Sequence, residues 1–211
     1  VKLPLEDPIT GVEIPFTSLV TPLRSFLAYE DDVVDAAGNV VGTKVINAGP
    51  IWNDSYDFAT RTLTLNAAGL RSYWDYRYVL AVLNDADPND VPNGTVSFSG
   101  LSLRTIAKRL VQQAQLMSGG SVPVDFEGDI AGPNTRNYPA TELHVVNEKL
   151  RQVTEVIGGP DIAFRPYVTT DGNYVRWSMV TGDPELEQLP GPYHRFDTTG
   201  PNPSVVPVKL D

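Results

Sequence analysis

The sequence predicts an α+β protein in which a small antiparallel β-barrel precedes an α/β unit of two helices packed on a β-hairpin. Three observations predict this. Residues 1–83 are a succession of short apolar stretches broken by turn residues. Two later segments repeat their apolar residues with the period of a helix. A final pair of alternating stretches flanks an Asp-Gly turn.

In the first region, "VKLPLEDP" reads as a strand, and a chain that opens on Val1 inside a strand reads as part of a longer protein. "SFLAYE" passes into "DDVV", "AAGN" at 36–39 turns the chain, and "VVGTKVINAGPIW" returns it. Gly49-Pro50 interrupts that return. Proline cannot donate to a ladder, which puts Ile51 and Trp52 at an edge or a bulge. "SYDF" at 55–58 and "TLTL" at 62–65 form a hairpin, joined by Ala59-Thr60-Arg61. Along "TLTL", Thr62 and Thr64 face one way and Leu63 and Leu65 the other. The aromatic run that follows, Tyr73, Trp74, Tyr76 and Tyr78, closes the end of the barrel, with Arg71 and Arg77 pairing outward. Residues 84–97, "NDADPNDVPNGTVS", are turn-forming and poor in large apolar groups, and serve as the linker.

The α/β unit spans residues 98–182. Leu103, Ile106, Ala107, Leu110, Val111 and Ala114 follow the i, i+3, i+4, i+7 pattern and predict a helix over 102–117, capped by Ser102 or Ser99 and ended by Gly119-Gly120. Arg104, Lys108 and Arg109 lie off its apolar stripe. Leu143, Val146, Leu150, Val153 and Ile157 predict a second helix from Pro139 to Ile157, with Pro139 in the first turn. The hairpin is "DIAFRPYV" and "NYVRWSMV" around Asp171-Gly172. Ile162, Phe164 and Val168 face the same side as Val175, Trp177 and Met179. The predicted core joins Leu103, Ile106, Leu110, Leu143, Leu150, Val153, Phe164 and Trp177. Residues 183–211, rich in proline, form an extended connector toward a further domain.

Composition narrows the function. Lys and Arg number 16 against 26 Asp and Glu, for a formal net charge of −10. Binding nucleic-acid phosphates requires clustered cations, so stable nucleic-acid binding is not expected. No stretch approaches the roughly 18 apolar residues of a membrane span, so no insertion is expected. Without cysteine there are no disulfides, thiol nucleophiles or thiolate metal sites. The two histidines, His144 and His194, are far apart in sequence, and His144 reads as a helical surface or packing residue. No serine sits in a nucleophile elbow, and "GDIAGPNTRN" lacks the spacing and lysine of a phosphate loop. The chain therefore reads as no enzyme, with no catalytic residue, cofactor or resident metal. "DFEGD" sets Asp125, Glu127 and Asp129 at alternate positions, an arrangement rich in oxygen ligands for Ca2+. The EF-hand spacing is not met, and a solvated loop is the reading adopted. Asp85, Asp87 and Asp90 are read the same way. The aromatic run supports one alternative function, a carbohydrate-binding module for a host cell-surface glycan.

Three long motifs occur in order: "AGPIWNDSYDFATRTLTLNAAGLRSYWDYRYVL" at 48–80, "FSGLSLRTIAKRLVQQA" at 98–114 and "LHVVNEKLRQVTEVIGGPDIAFRP" at 143–166. In this order they resemble the minor tail, or baseplate hub, proteins of long-tailed (siphovirus-type) phages and prophages of actinobacteria. The resemblance runs from about Leu3 to Met179 and implies a scaffold without a reaction. It implies a tail-hub-like fold and a homotrimeric ring at the distal end of the virion tail that continues the tube wall; because a small β domain leaves strand edges open that a ring can cover, subunit contact is expected mainly through residues 1–83. The implied partners are distal tail, tape measure and tail-tube-side proteins, together with fibre or receptor-binding proteins. On the same resemblance "AAGLRSYWDYR" is a structural joint, a short helical turn leaving the last barrel strand, with Tyr73 and Trp74 over the barrel end.

Overall fold

The computed structural model describes residues 1–5, 12, 20–35, 37–81, 94–117, 119–183 and 186. Asp85, Asp87, Asp90, His194, most of the 84–97 linker and nearly all of the proline-rich segment lie outside these residues.

The chain is α+β: a curled antiparallel sheet, forming a half-barrel, is followed by two helices and their own strands. The sheet has the order β1-β4-β3-β2. Its strands are β1 (Lys2–Pro4), β2 (Phe26–Val34), β3 (Val40–Asp57) and β4 (Thr62–Ala67). Among the described residues it is an open half-barrel rather than the expected closed barrel, because no pairing joins the edge strands β1 and β2. The cause is the 18-residue β3. Its first part, to Pro50, pairs with β2, and its second part, from Ile51, pairs with β4. One strand that divides its ladder between two neighbours bends the sheet and leaves the outer edges apart.

The switch falls at Gly49-Pro50. The register slips between Ile51 and Asn53, so Trp52 is the bulged residue, as the proline predicts. The backbone leaving β4 crosses here: a Cβ on Gly49 would lie 1.8 Å from the Ala68 carbonyl oxygen, and the Ala68 amide donates to the Pro50 carbonyl at 3.3 Å. The β3–β4 hairpin closes through Arg61 at φ 48, with the Asp57 carboxylate accepting from the amides of Ala59 and Thr60. Leu63 and Leu65 join Leu5 and Ile51 in a small apolar core, and Thr62 and Thr64 take the other face.

Past β4, Leu70–Tyr76 form a 3-10 helix. This is the short turn expected of "AAGLRSYWDYR", but Tyr73 and Trp74 do not cover the half-barrel. Both lie in the larger second core, where Trp74 stands 6.1 Å from the Phe164 ring. Val45 and Ala48 of β3 belong to the same core.

The remaining elements are β5 (Thr95–Leu101), α1 (Leu103–Gln115), β6 (Val124–Phe126), β7 (Ala131–Pro139), α2 (Val146–Thr154), β8 (Ile162–Val168) and β9 (Val175–Thr181). Helix α1 matches its expected span, with the Ser102 hydroxyl accepting from the Thr105 amide as N-cap. The hairpin β8–β9 also matches, with Gly172 at φ 73 in its turn and Phe164 opposite Met179. The second helix is shorter than expected, beginning at Val146 instead of Pro139. Residues 131–139 pair with β5 as a strand, and Leu143 takes a left-handed conformation at φ 47 that ends any helix running through it. Leu143 is consequently 59% exposed and drops out of the predicted core. His144 likewise precedes the helix instead of lying on it. Strands β5, β6 and β7 were unexpected; β6 adds a parallel third strand beside β9, and β5–β7 form a separate ribbon.

Helices α1 and α2 pack on β8–β9 through Ile106, Leu110, Leu150, Val153, Trp177 and Met179, all buried. Leu110→Ala or Leu150→Ala is expected to cost about 2–5 kcal/mol in denaturant unfolding, since each deletes a wholly buried side chain. Leu143→Ala is expected to stay within about 0.5 kcal/mol, as an exposed substitution should.

Candidate functional site

The most prominent feature for recognition is an arm. Strands β2 and β3 continue as a two-stranded ribbon past the body of the protein, and residues 28–33, 35 and 37–44 are all exposed, on both faces. The sequence ties the two strands of this ribbon together at its tip. The Asp35 carboxylate accepts from the amides of Ala37 and Asn39, both at 2.9 Å, and Gly38 supplies the positive φ of the turn. These hydrogen bonds, first that from the Asn39 side chain, hold the Asp35 carboxyl below its ordinary range. At its base, the Ala48 carbonyl accepts from the Trp177 indole at 3.2 Å, tying the arm to the second core. Along its length Tyr29, Val33, Val40, Val41 and Ile46 are exposed apolar residues. Glu30, Asp31, Asp32 and Asp35 give it four carboxylates against the single Lys44. Exposed apolar side chains on an open edge are what a sheet uses to pair with another chain, and edge charges restrict which chain.

The three carboxylates singled out as oxygen ligands do not converge. Asp125 lies on β6, and its carboxylate accepts from the Arg176 guanidinium on the adjacent β9, Nε at 3.0 Å, and from the Tyr167 hydroxyl on β8 beyond it. Glu127 accepts from the Thr181 hydroxyl at 2.8 Å and pairs with Arg104 at 3.4 Å. Asp129 pairs with Lys108 and Arg109. The expected solvated loop is therefore a set of ionic staples. The off-stripe cations of α1, which looked like an exposed face, are where the staples land. Lys108 is buried, and its ammonium also donates to the Glu127 carbonyl at 2.7 Å. Among the described residues no group of three His, Cys, Asp or Glu could hold a metal ion.

The aromatic run is divided. Tyr73 and Trp74 are core residues, and the Arg77 guanidinium sits 4.4 Å over the Tyr73 ring and donates to its hydroxyl. Tyr76 is exposed and stands 4.6 Å from the Trp52 ring, whose indole donates to Ser72 at 2.9 Å. Arg71 donates to Asn147 and does not pair outward. Among the described residues no helix is long and apolar enough to cross a membrane. No protein-family model, curated protein or solved structure matches this chain.

The staples carry a pH signature. Hydrogen bonds from Arg176 and then Tyr167 hold the Asp125 carboxyl below its ordinary range, and Lys108 and then Arg109 do the same for Asp129. A depressed carboxylate contributes stability that is present above the unfolded value of about 3.9 and is lost as pH falls through the folded value. The melting temperature is therefore expected to fall as pH drops below about 4, and less steeply in the double variant Asp125→Asn, Asp129→Asn. Thermal melts across that range check it. Because each carboxylate is committed to its own cation, adding Ca2+ or a chelator is expected to leave the melting temperature unchanged.

Proposed function

We propose that this chain is a structural component of a phage tail tip, a baseplate hub or minor tail protein. In this reading it forms a homotrimeric ring at the distal end of the virion tail that continues the tube and anchors the host-recognition parts. The three ordered motifs that resemble such proteins give the reading its identity, and the arm is the observation that carries the assembly role. A two-stranded ribbon wet on both faces is at best marginally stable without a partner. This one nevertheless has a hydrogen-bonded tip and exposed apolar residues. A neighbouring subunit would cover it, which agrees with contact made mainly through residues 1–83. The net charge of −10 favours protein partners over DNA. Tube-side tail proteins, the tape measure and fibre or receptor-binding proteins are the partners this role requires.

The alternative, a carbohydrate-binding module, keeps narrower support. Of the aromatic run only Tyr76 and Tyr78 are exposed, with the Trp52 ring beside Tyr76.

Two measurements test the proposal. A reconstruction of the assembled tail is expected to place a threefold ring of this chain at the tip; six copies along the tube, or one copy on a side appendage, would overturn it. Replacing residues 31–44 with a short turn leaves Val45 and Ala48 in place, and the described side chains it removes are exposed. That variant is expected to keep its monomer fold by circular dichroism and to lose the trimer in solution mass measurements. A variant that still trimerises would show that the arm is not the subunit contact.

A further inference from the structure

A groove of about 640 Å3 runs between strand β7 and helix α2. Its walls follow from simple periodicities. Arg136 and Tyr138 are two residues apart on β7 and so share one face of the ribbon, opposite Phe98 and Val96 of β5. Lys149, Gln152, Val153 and Val156 are spaced three and four apart along the α2 segment and so line one side of it. The loop between them brings His144, whose ring meets Tyr138 edge-on at 5.5 Å and whose Nε2 lies 3.0 Å from the Glu142 carboxylate.

The charges in this groove are not equally committed. Glu142 has His144, and Glu155 has Arg151 at 3.6 Å. Among the described residues Arg136 donates only to the carbonyl of its neighbour Thr135. Lys149 is half-sequestered, with its ammonium 3.1 Å from the Gln152 amide oxygen and 3.9 Å from Glu148. Tyr138 is only 6% exposed, and among the described residues its hydroxyl makes no hydrogen bond but is not sealed from solvent either. Burial pushes the Tyr138 hydroxyl up from its ordinary range, more than the Arg136 charge pulls it down, so the phenol stays a donor at neutral pH. Three donors with capacity to spare thus line one concavity: a guanidinium, an ammonium and a phenol.

We propose that the β7–α2 groove binds an oxyanion, a carboxylate or phosphate group of a small molecule or saccharide, through Arg136, Lys149 and Tyr138. Arg136 presents its planar fork to two oxygens, Lys149 supplies a second positive charge, and Tyr138 donates from the floor. Val153 and Val156 offer the apolar wall against which the rest of the ligand lies.

The test is a titration of the whole chain with inorganic phosphate and, separately, acetate, followed by amide and aromatic NMR shifts at constant ionic strength. Saturable shifts confined to residues 136–156 are expected. Tighter saturation by phosphate would assign the group to phosphate, and tighter saturation by acetate to carboxylate. Glycerol phosphate and glucuronic acid then extend whichever arm wins. Arg136→Gln is expected to weaken binding about tenfold or more, as losing a charge-assisted hydrogen bond does. Tyr138→Phe keeps the ring packing and removes only the donor, so it reports on binding even if other variants unfold; it is expected to weaken binding several-fold. Arg165→Gln, on β8 and outside the groove, is the control and should change nothing. Shifts that never saturate, or that spread over cationic residues throughout the chain, would mean screening by an adventitious ion only and would overturn the proposal.

Discussion

The structure depends on a close crossing of two backbones. Where β4 ends, Ala68 passes over Gly49 so tightly that no side chain could stand between them. Gly49 is followed by Pro50, the residue at which β3 exchanges β2 for β4 as its partner. One dipeptide therefore does three things: it admits the crossing chain, ends one ladder and bends the strand that carries both. The consequences run in both directions. Upstream, β3 and β2 are released from the half-barrel to form the arm. Downstream, the chain that has crossed is aimed at the second core, where the 3-10 helix delivers Tyr73 and Trp74. The Trp177 indole donating to Ala48, one residue before Gly49, locks the crossing to the hairpin β8–β9.

The second core is held by a different kind of link. Helix α1 buries one face against α2 and β9 and turns Arg104, Lys108 and Arg109 toward the segment that follows β6. Glu127 and Asp129 answer from that segment, so a short parallel strand that would gain little alone is tied at its end. Exposed ion pairs of this kind contribute little to stability individually. Lys108 differs: it is buried, and its ammonium meets both a carboxylate and a carbonyl. Its value lies in fixing where the β6 strand sits against α1.

Much of this was legible from sequence where local signals and packing agree. Helix α1 has both a cap and an unbroken apolar stripe; the β8–β9 hairpin has alternation and a glycine at positive φ; the bulge at Trp52 follows from proline chemistry. The failures have equally physical causes. "AGPNTRNYP" has Thr135 as its single β-branched residue and contains Gly, two Pro and two Asn, so little local marks β7; it is a strand because β5 pairs with it. The helical period read from Leu143 was accidental, since that residue occupies a left-handed turn. With 139–157 taken as one helix, Arg136, Tyr138 and Lys149 had no reason to meet, and the groove they line was invisible. The acidic run was misread for the opposite reason. Its residues were noticed, but the cations that engage them come from segments about 20 and about 50 residues away, beyond any local pattern.

The distribution of charge then constrains how the proposed ring could close. In the second unit the carboxylates of Asp125, Glu127 and Asp129 are matched by cations of the same chain. On the arm, Glu30, Asp31, Asp32 and Asp35 are not: Lys44 is their one cationic neighbour on the ribbon. Two arms laid edge to edge would bring eight carboxylates together for two lysines, and like charges in register are destabilising. A two-fold contact made by the same patch on both subunits is therefore disfavoured for this element. The arm is suited instead to a different surface on the next subunit, and a contact between unlike patches closes into a ring when its rotation allows. The acidity that discourages pairing of like arms thus fits the head-to-tail geometry of the proposed threefold ring.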